Sequence, residues 1–110
     1  MQLGNQETFR ALADPSRRSI LVLLSKSDMT IGEVSDHFDM TRAAVKKHLT
    51  ILETGKLISV HSKGRERINR LEPLALKSVA EWIGYFDQFW DERLAALQAA
   101  VEKHEREKNE

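Results

Sequence analysis

The chain has 110 residues, 41% of them hydrophobic, with 17 Lys and Arg balanced by 17 Asp and Glu. That length predicts one small domain, residues 1–110, whose modest core leaves room for stabilisation by a second subunit, and the neutral balance excludes a generally basic coat for nucleic acid. The absence of cysteine excludes disulfides, thiolate metal sites and a cysteine nucleophile; no apolar run approaches membrane-spanning length and no signal-peptide hydrophobic stretch opens the chain, so a soluble cytoplasmic protein without a membrane partner is expected.

Charge is unevenly distributed. Residues 1–40 hold four Lys/Arg against six Asp/Glu, residues 41–70 eight against two, and residues 71–110 five against nine. A basic middle between acidic flanks is the footprint of a local nucleic-acid contact.

A short helix is expected over residues 5–12, with Phe9, Leu12 and Ala13 on one side. Asp14 then reads as an N-cap and Pro15 as the first helical position, where its missing amide costs nothing. The run Ile20, Leu21, Val22, Leu23, Leu24 has the composition of a strand, but the cap and the pair Arg17 and Arg18 favour a largely buried helix to about residue 25. Thr30 and Glu33 form a T-x-x-E capping box that opens a third helix, with Ile31, Val34 and Phe38 at i, i+3 and i+7.

After a tight turn at Asp39 and Met40, Thr41 caps a fourth helix over residues 42–54. Val45, Leu49 and Leu52 make one buried stripe, while Arg42, Ala43, Lys46 and Lys47 form an uncluttered basic face, with His48 beside it. Gly55 sits where a left-handed residue would end this helix. Two capped helices over residues 31–54, joined by so short a turn, have helix-turn-helix geometry, and a helix with one apolar and one basic face suits a major groove.

The period then changes to two. Residues 58–63 and 66–71 alternate as strands about Lys63, Gly64 and Arg65, giving a β-hairpin, or wing, over residues 57–71. Lys63, Arg65 and Arg67 cluster near its tip, a composition suited to phosphate or minor-groove contact. Glu72 and Pro73 end the strand, and one long helix is expected over residues 74–105. Ile83, Phe86, Trp90, Leu94, Leu97 and Val101 form an apolar seam along it, widened by Trp82 and Phe89. The stripe outruns what a small domain can cover, which predicts packing against a second copy together with the Phe9 helix. Residues 104–110 read as a polar, mobile tail.

The stretches FRALADPSRRSILVLL, TIGEVSDHFDMTRAAVKKHLTILETGKLI and KGRERINRL together resemble the ArsR-type family of small bacterial winged-helix repressors, across residues 6–101. The tail WIGYFDQFWDERL resembles the Trp-rich final helix of its metal-free, autorepressor-like branch. The resemblance implies a mainly α winged helix-turn-helix fold with a small β-hairpin, a C-terminal dimerisation helix, and a DNA-binding transcriptional regulator. The chain departs from the family pattern at Lys46, where Ser is usual, at Thr54, where Ala is common, and at Asn69, where the wing often has Tyr.

Metal sensing is not expected. The positions matching the family's C-x-C pair are Thr30 and Gly32; those matching its D-x-H…H-x-x-H/E set are Asp91, Arg93, His104 and Glu107, and arginine stays protonated and cannot ligate zinc. Ser35, Asp36 and His37 splay apart as helix neighbours and lack an oxyanion loop, so no enzyme and no cofactor are expected. The sequence therefore predicts a homodimeric repressor that occludes double-stranded operator DNA. Thr41, Lys63 and Arg67 meet phosphates, Arg42, Lys46 and Lys47 reach base edges, and the inducer is undefined. The competing reading is a winged helix for protein or RNA contact without operator binding. The concentration of positive charge on the fourth helix and the wing disfavours it.

Overall fold

The structure, a computed structural model, describes residues 6–108; the helix start expected at Asn5 and the last two tail residues lie outside that range. The chain divides into two compact units, Met1–Val79 and Ala80–Glu110. The first contains α1 (Gln6–Leu12), α2 (Pro15–Leu24), β1 (Met29–Thr30), α3 (Ile31–Ser35), α4 (Arg42–Thr54), β2 (Ile58–Lys63), β3 (Glu66–Leu71) and the beginning of α5 (Pro73–Gly84).

Local capping sets most of these boundaries. Asp14 Oδ1 accepts from the Ser16 and Arg17 amides at 2.8 and 3.3 Å, with Pro15 behind it. Desolvation opposes ionisation of the Asp14 carboxyl, but those two amides and the neighbouring Arg17 and His48 outweigh it and hold the group below the usual carboxylate range. The capping box is complete: Thr30 Oγ1 accepts from the Glu33 amide at 3.2 Å, and Glu33 Oε1 accepts from the Thr30 amide at 3.1 Å. Ile20, Leu24, Val34, Val45, Leu52 and Leu57 fill the core, and Ala75 and Leu76 pack against it.

Three details differ from the sequence expectation. The helix α3 stops at Ser35, so Phe38 reaches the core from the following turn rather than from a third helical turn. The buried side of α1 is Thr8 and Ala11, while Phe9 and Leu12 are half-buried and Ala13 is exposed. The strand β1 was not anticipated; it pairs with β3 through Met29 opposite Asn69 and Thr30 opposite Ile68, giving an antiparallel sheet in the order β1-β3-β2.

The end of α4 also differs. Gly55 has φ −78°, and the left-handed residue is Lys56 at φ 61°. The Lys56 and Leu57 amides donate to the Glu53 and Leu52 carbonyls at 2.9 and 3.0 Å, the double closure of a Schellman motif. Glycine is needed at 55 for space: a Cβ there would lie 2.9 Å from the Glu7 carbonyl oxygen and 3.2 Å from Ala11 Cβ, and Thr8 Oγ1 donates to the Gly55 carbonyl at 2.9 Å. Gly55→Ala is therefore expected to lower unfolding free energy by about 1–3 kcal/mol, the range for overpacking. A denaturant titration checks this, and an unchanged midpoint would contradict the close-approach account.

The second unit contains the end of α5 and α6 (Asp87–Lys108). The single helix expected over residues 74–105 is thus two helices, interrupted at Tyr85 and Phe86. Gly84 and the surrounding aromatics are weak helix formers. There the bonds tighten: the Tyr85 and Phe86 amides donate to the Trp82 and Ile83 carbonyls at 3.3 and 2.9 Å, and the Phe86 carbonyl accepts from Phe89 and Trp90 to start α6. The tail expected to fray is helical from His104 to Lys108.

Candidate nucleic-acid interface

Thr41 Oγ1 caps α4 by accepting from the Ala44 amide at 3.1 Å, and the Thr41 carbonyl accepts from Val45 at 3.0 Å. This cap and the buried stripe of Val45, Leu49 and Leu52 fix which way the helix turns. Thr41, Arg42, Ala43, Lys46 and Lys47 are consequently all exposed on its outer side. His48 is not part of that face. It is half-buried, with Nδ1 3.5 Å from Arg17 Nη1. Arg17 in turn donates from Nε and Nη2 to the Ala11 and Arg10 carbonyls at 2.8 and 3.1 Å, tying the end of α1 to α2 and α4. The guanidinium of Arg42 lies over the start of α3, where a Cβ on Gly32 would stand 2.7 Å from Nη2.

The wing matches its expected strands. Gly64, at φ 63°, supplies the positive φ that the first turn position of a tight hairpin requires. The pairing register sorts its cations, because directly opposed residues share one face of a sheet and neighbours along a strand alternate. Ser62 opposes Arg67 and Val60 opposes Asn69 on one face; Lys63 opposes Glu66 and Ser59 opposes Arg70 on the other. The expected tip cluster is therefore split. Arg67 shares a cleft of about 230 Å³ with Lys46, Leu49, Thr50 and Glu53 of α4, and Arg65 stands at the tip. Lys63 lies on the far face, directly across from an acid.

Other polar groups of that far face are partnered, although Lys63 itself forms no ion pair among the described residues. Arg70 Nε pairs with Asp28 Oδ2 at 2.9 Å, and Ser59 Oγ donates to Glu72 Oε1 at 2.5 Å and lies 2.7 Å from His61 Nε2. Among the described residues, ion pairs form only at Arg17–Asp14 and Arg70–Asp28. Arg42, Lys46, Lys47, Lys63, Arg65 and Arg67 thus present charge outside any ion pair on α4 and the wing. Thr50 and Asn69 were missed by sequence reasoning. Each is marked by spacing alone: Thr50 is one turn from Lys46, and Asn69 is two residues from Arg67 on the same strand face.

Comparison with known proteins is decisive for this arrangement. A family profile described as "Bacterial regulatory protein, arsR family" matches residues 14–60. The transcriptional repressor SdpR of Bacillus subtilis is 37% identical over 75 residues, covering 68% of this chain and 83% of that protein. The chain belongs to the ArsR family. The crystal structure of the ArsR family transcriptional regulator RHA00566 superposes with a TM-score of 0.69 at 34% identity, over 77% of this chain and 88% of that one. At 24% identity, the homodimeric winged helix-turn-helix DNA-binding domain of Mb0332 from Mycobacterium bovis shares the fold, with a TM-score of 0.58 over 80% of this chain and 79% of that one. The ArsR-family chain is thus a winged helix-turn-helix transcriptional regulator, and the family is one of regulators rather than enzymes.

Proposed function

We propose that this ArsR-family regulator is a homodimeric repressor that occludes promoter DNA, with residues 1–110 acting as one DNA-binding domain. The helix α4 enters the major groove, where Arg42, Lys46 and Lys47 reach base edges and Ala43 leaves room for close approach. Thr41 at the helix N-terminus and Arg67 on the wing meet phosphates. Arg65 meets phosphate or a narrow minor groove at the hairpin tip, and Lys63 meets phosphate from the other face of the wing. His48 acts only through its contact with Arg17. The observation that carries this reading is the exposed, unpaired charge shared by α4 and the near face of the wing.

Dimerisation is supported by the apolar seam. Trp90, Leu94, Leu97 and Val101 recur at helical spacing on α6, and every residue of that helix is exposed. Ile83 on α5 and Phe86 in the break continue the row, at 50% and 37% exposure. So much unpartnered apolar surface calls for a partner, and the homodimeric state of the M. bovis relative makes a second copy the natural one, with Phe9 of α1 joining the interface. No helix among the described residues is long and apolar enough to cross a membrane. A cytoplasmic location suits a regulator of promoter DNA.

Binding to a duplex carrying the operator, followed over a range of salt, tests the proposal. With roughly three phosphate contacts per protomer, log K should fall with log salt at a slope of about −5. Binding to single-stranded RNA in preference to duplex, or a slope near zero, would overturn it.

A further inference from the structure

The cleft between α4 and the wing holds chemistry that a DNA backbone would leave unused. Its apolar wall is Ile31, Leu49 and Val60, for which a phosphate has no use. Its polar groups sort by position. Along α4, Lys46, Thr50 and Glu53 stand at i, i+4 and i+7, a span of about 10 Å. The helix runs through residues 55–57 into the base of the wing, so Glu53 stands nearest that base and Lys46 farthest from it. On β3, Arg67 stands toward the tip and Asn69 toward the base. Two cations therefore mark one end of the cleft, and a carboxylate with an amide marks the other.

None of the three charged groups is in an ion pair among the described residues. Asn69 is only 4% exposed, and its Nδ2 donates to the Met29 carbonyl at 3.2 Å. That bond occupies Nδ2 and leaves Oδ1 to accept, on a residue that lines the cleft. Thr50 donates its own hydroxyl proton to the Lys46 carbonyl at 2.9 Å, so its oxygen also remains an acceptor. The volume, about 230 Å³, falls below the roughly 300 Å³ at which drug-sized pockets begin, which restricts an occupant to a small metabolite.

We propose that this cleft binds a zwitterionic α-amino acid with an apolar side chain. Its carboxylate lies on Lys46 and Arg67, its ammonium group on Glu53 and Asn69 Oδ1, and its side chain on Ile31, Leu49 and Val60. This assigns a complementary group to both charged ends of the cleft and to its apolar wall, which neither a simple anion nor an apolar ligand does. A ligand of about nine non-hydrogen atoms binds in such a site with a Kd on the order of 0.1–1 mM. The regulatory consequence rests on the function proposed above. Because Lys46 and Arg67 also serve DNA, the amino acid competes with the operator directly and needs no conformational change.

The test titrates L-leucine, L-methionine and L-phenylalanine into the full chain without DNA, by calorimetry and by amide chemical shifts. At least one is expected to bind in the stated range and to shift residues lining the cleft. Its analogue lacking the ammonium group and its analogue lacking the carboxylate should each bind at least about tenfold more weakly. Glu53→Gln, an exposed change with no bearing on the core, should weaken binding several-fold, and Val60→Trp should abolish it by filling the cleft. No binding of any of the three at about 10 mM, equal binding of an analogue lacking one charge, or indifference to Glu53→Gln would overturn the proposal. A separate arm adds the bound amino acid to the protein–operator complex. Binding to the protein without displacement of DNA would leave the ligand site standing and instead overturn the placement of Lys46 and Arg67 on DNA.

Discussion

Leu94→Glu is expected to convert the protein to a monomer at micromolar concentration. Leu94 stands mid-seam on α6 at 61% exposure, one turn from Trp90 and three residues from Leu97. In an isologous interface the change occurs twice, once from each copy. Each copy loses about 2 kcal/mol of apolar burial on association and must also desolvate a carboxylate with no partner. Together these raise the dimer dissociation constant by at least about 1000-fold. A monomer cannot hold two half-sites at once, so affinity for a full operator should fall by about 100-fold or more through lost effective concentration. Sedimentation checks the first effect and operator titration the second. Because no residue of α6 is buried, the variant should keep its helical circular dichroism. A wild-type monomer at micromolar concentration, or a variant that remains dimeric, would show the seam to serve another purpose.

The second large effect separates α4 from the wing. Arg42 lies exposed in the first turn of α4, one turn before Lys46. Arginine in a major groove commonly pairs with guanine O6 and N7, a contact worth about 1–3 kcal/mol of discrimination. Arg42→Ala should therefore relax preference by roughly 10- to 100-fold at particular operator positions and leave others unchanged. Arg65 stands exposed at the hairpin tip beside Gly64, where a cation meets phosphate or a narrow groove of little sequence code. Arg65→Ala should weaken specific and non-specific duplexes alike and reduce the salt slope by about one unit per lost contact. The measurement is competition binding over operator variants at several salt concentrations. If Arg42→Ala weakens all sequences equally while Arg65→Ala alters base preference, the two elements have exchanged roles.

Much of this architecture was legible because its determinants are local. The Asp14, Thr30 and Thr41 caps bond amides two or three residues away, so their spacing in sequence is already their geometry. The wing was legible from alternation and one glycine. The same alternation places Lys63 and Arg67 on opposite faces, yet their closeness in sequence suggested one cluster. What stayed hidden depends on distant partners. The two-residue strand β1 has no pattern of its own and forms only against Ile68 and Asn69, some forty residues on. Gly55 looked like a left-handed terminator because its role there, close approach to α1, is tertiary. The break in the last helix was obscured by an apolar seam that runs across it without changing period. His48 adjoins the basic face in sequence, but at i+3 from Val45 and i−4 from Leu52 it lies toward the buried side of α4, near Arg17.

Footprinting the purified protein on the duplex upstream of its own coding sequence, with guanine N7 methylation interference on the same fragment, tests the central claim most directly. Two protected patches should appear on one side of the helix, centred about one helical turn (~34 Å) or a multiple of it apart. Methylation within each patch should block binding, since N7 lies in the major groove that α4 is proposed to enter. Leu94→Glu should abolish the paired protection. Uniform protection, a single unpaired patch from the wild-type protein, or binding indifferent to N7 methylation would contradict a dimer that reads its operator through α4.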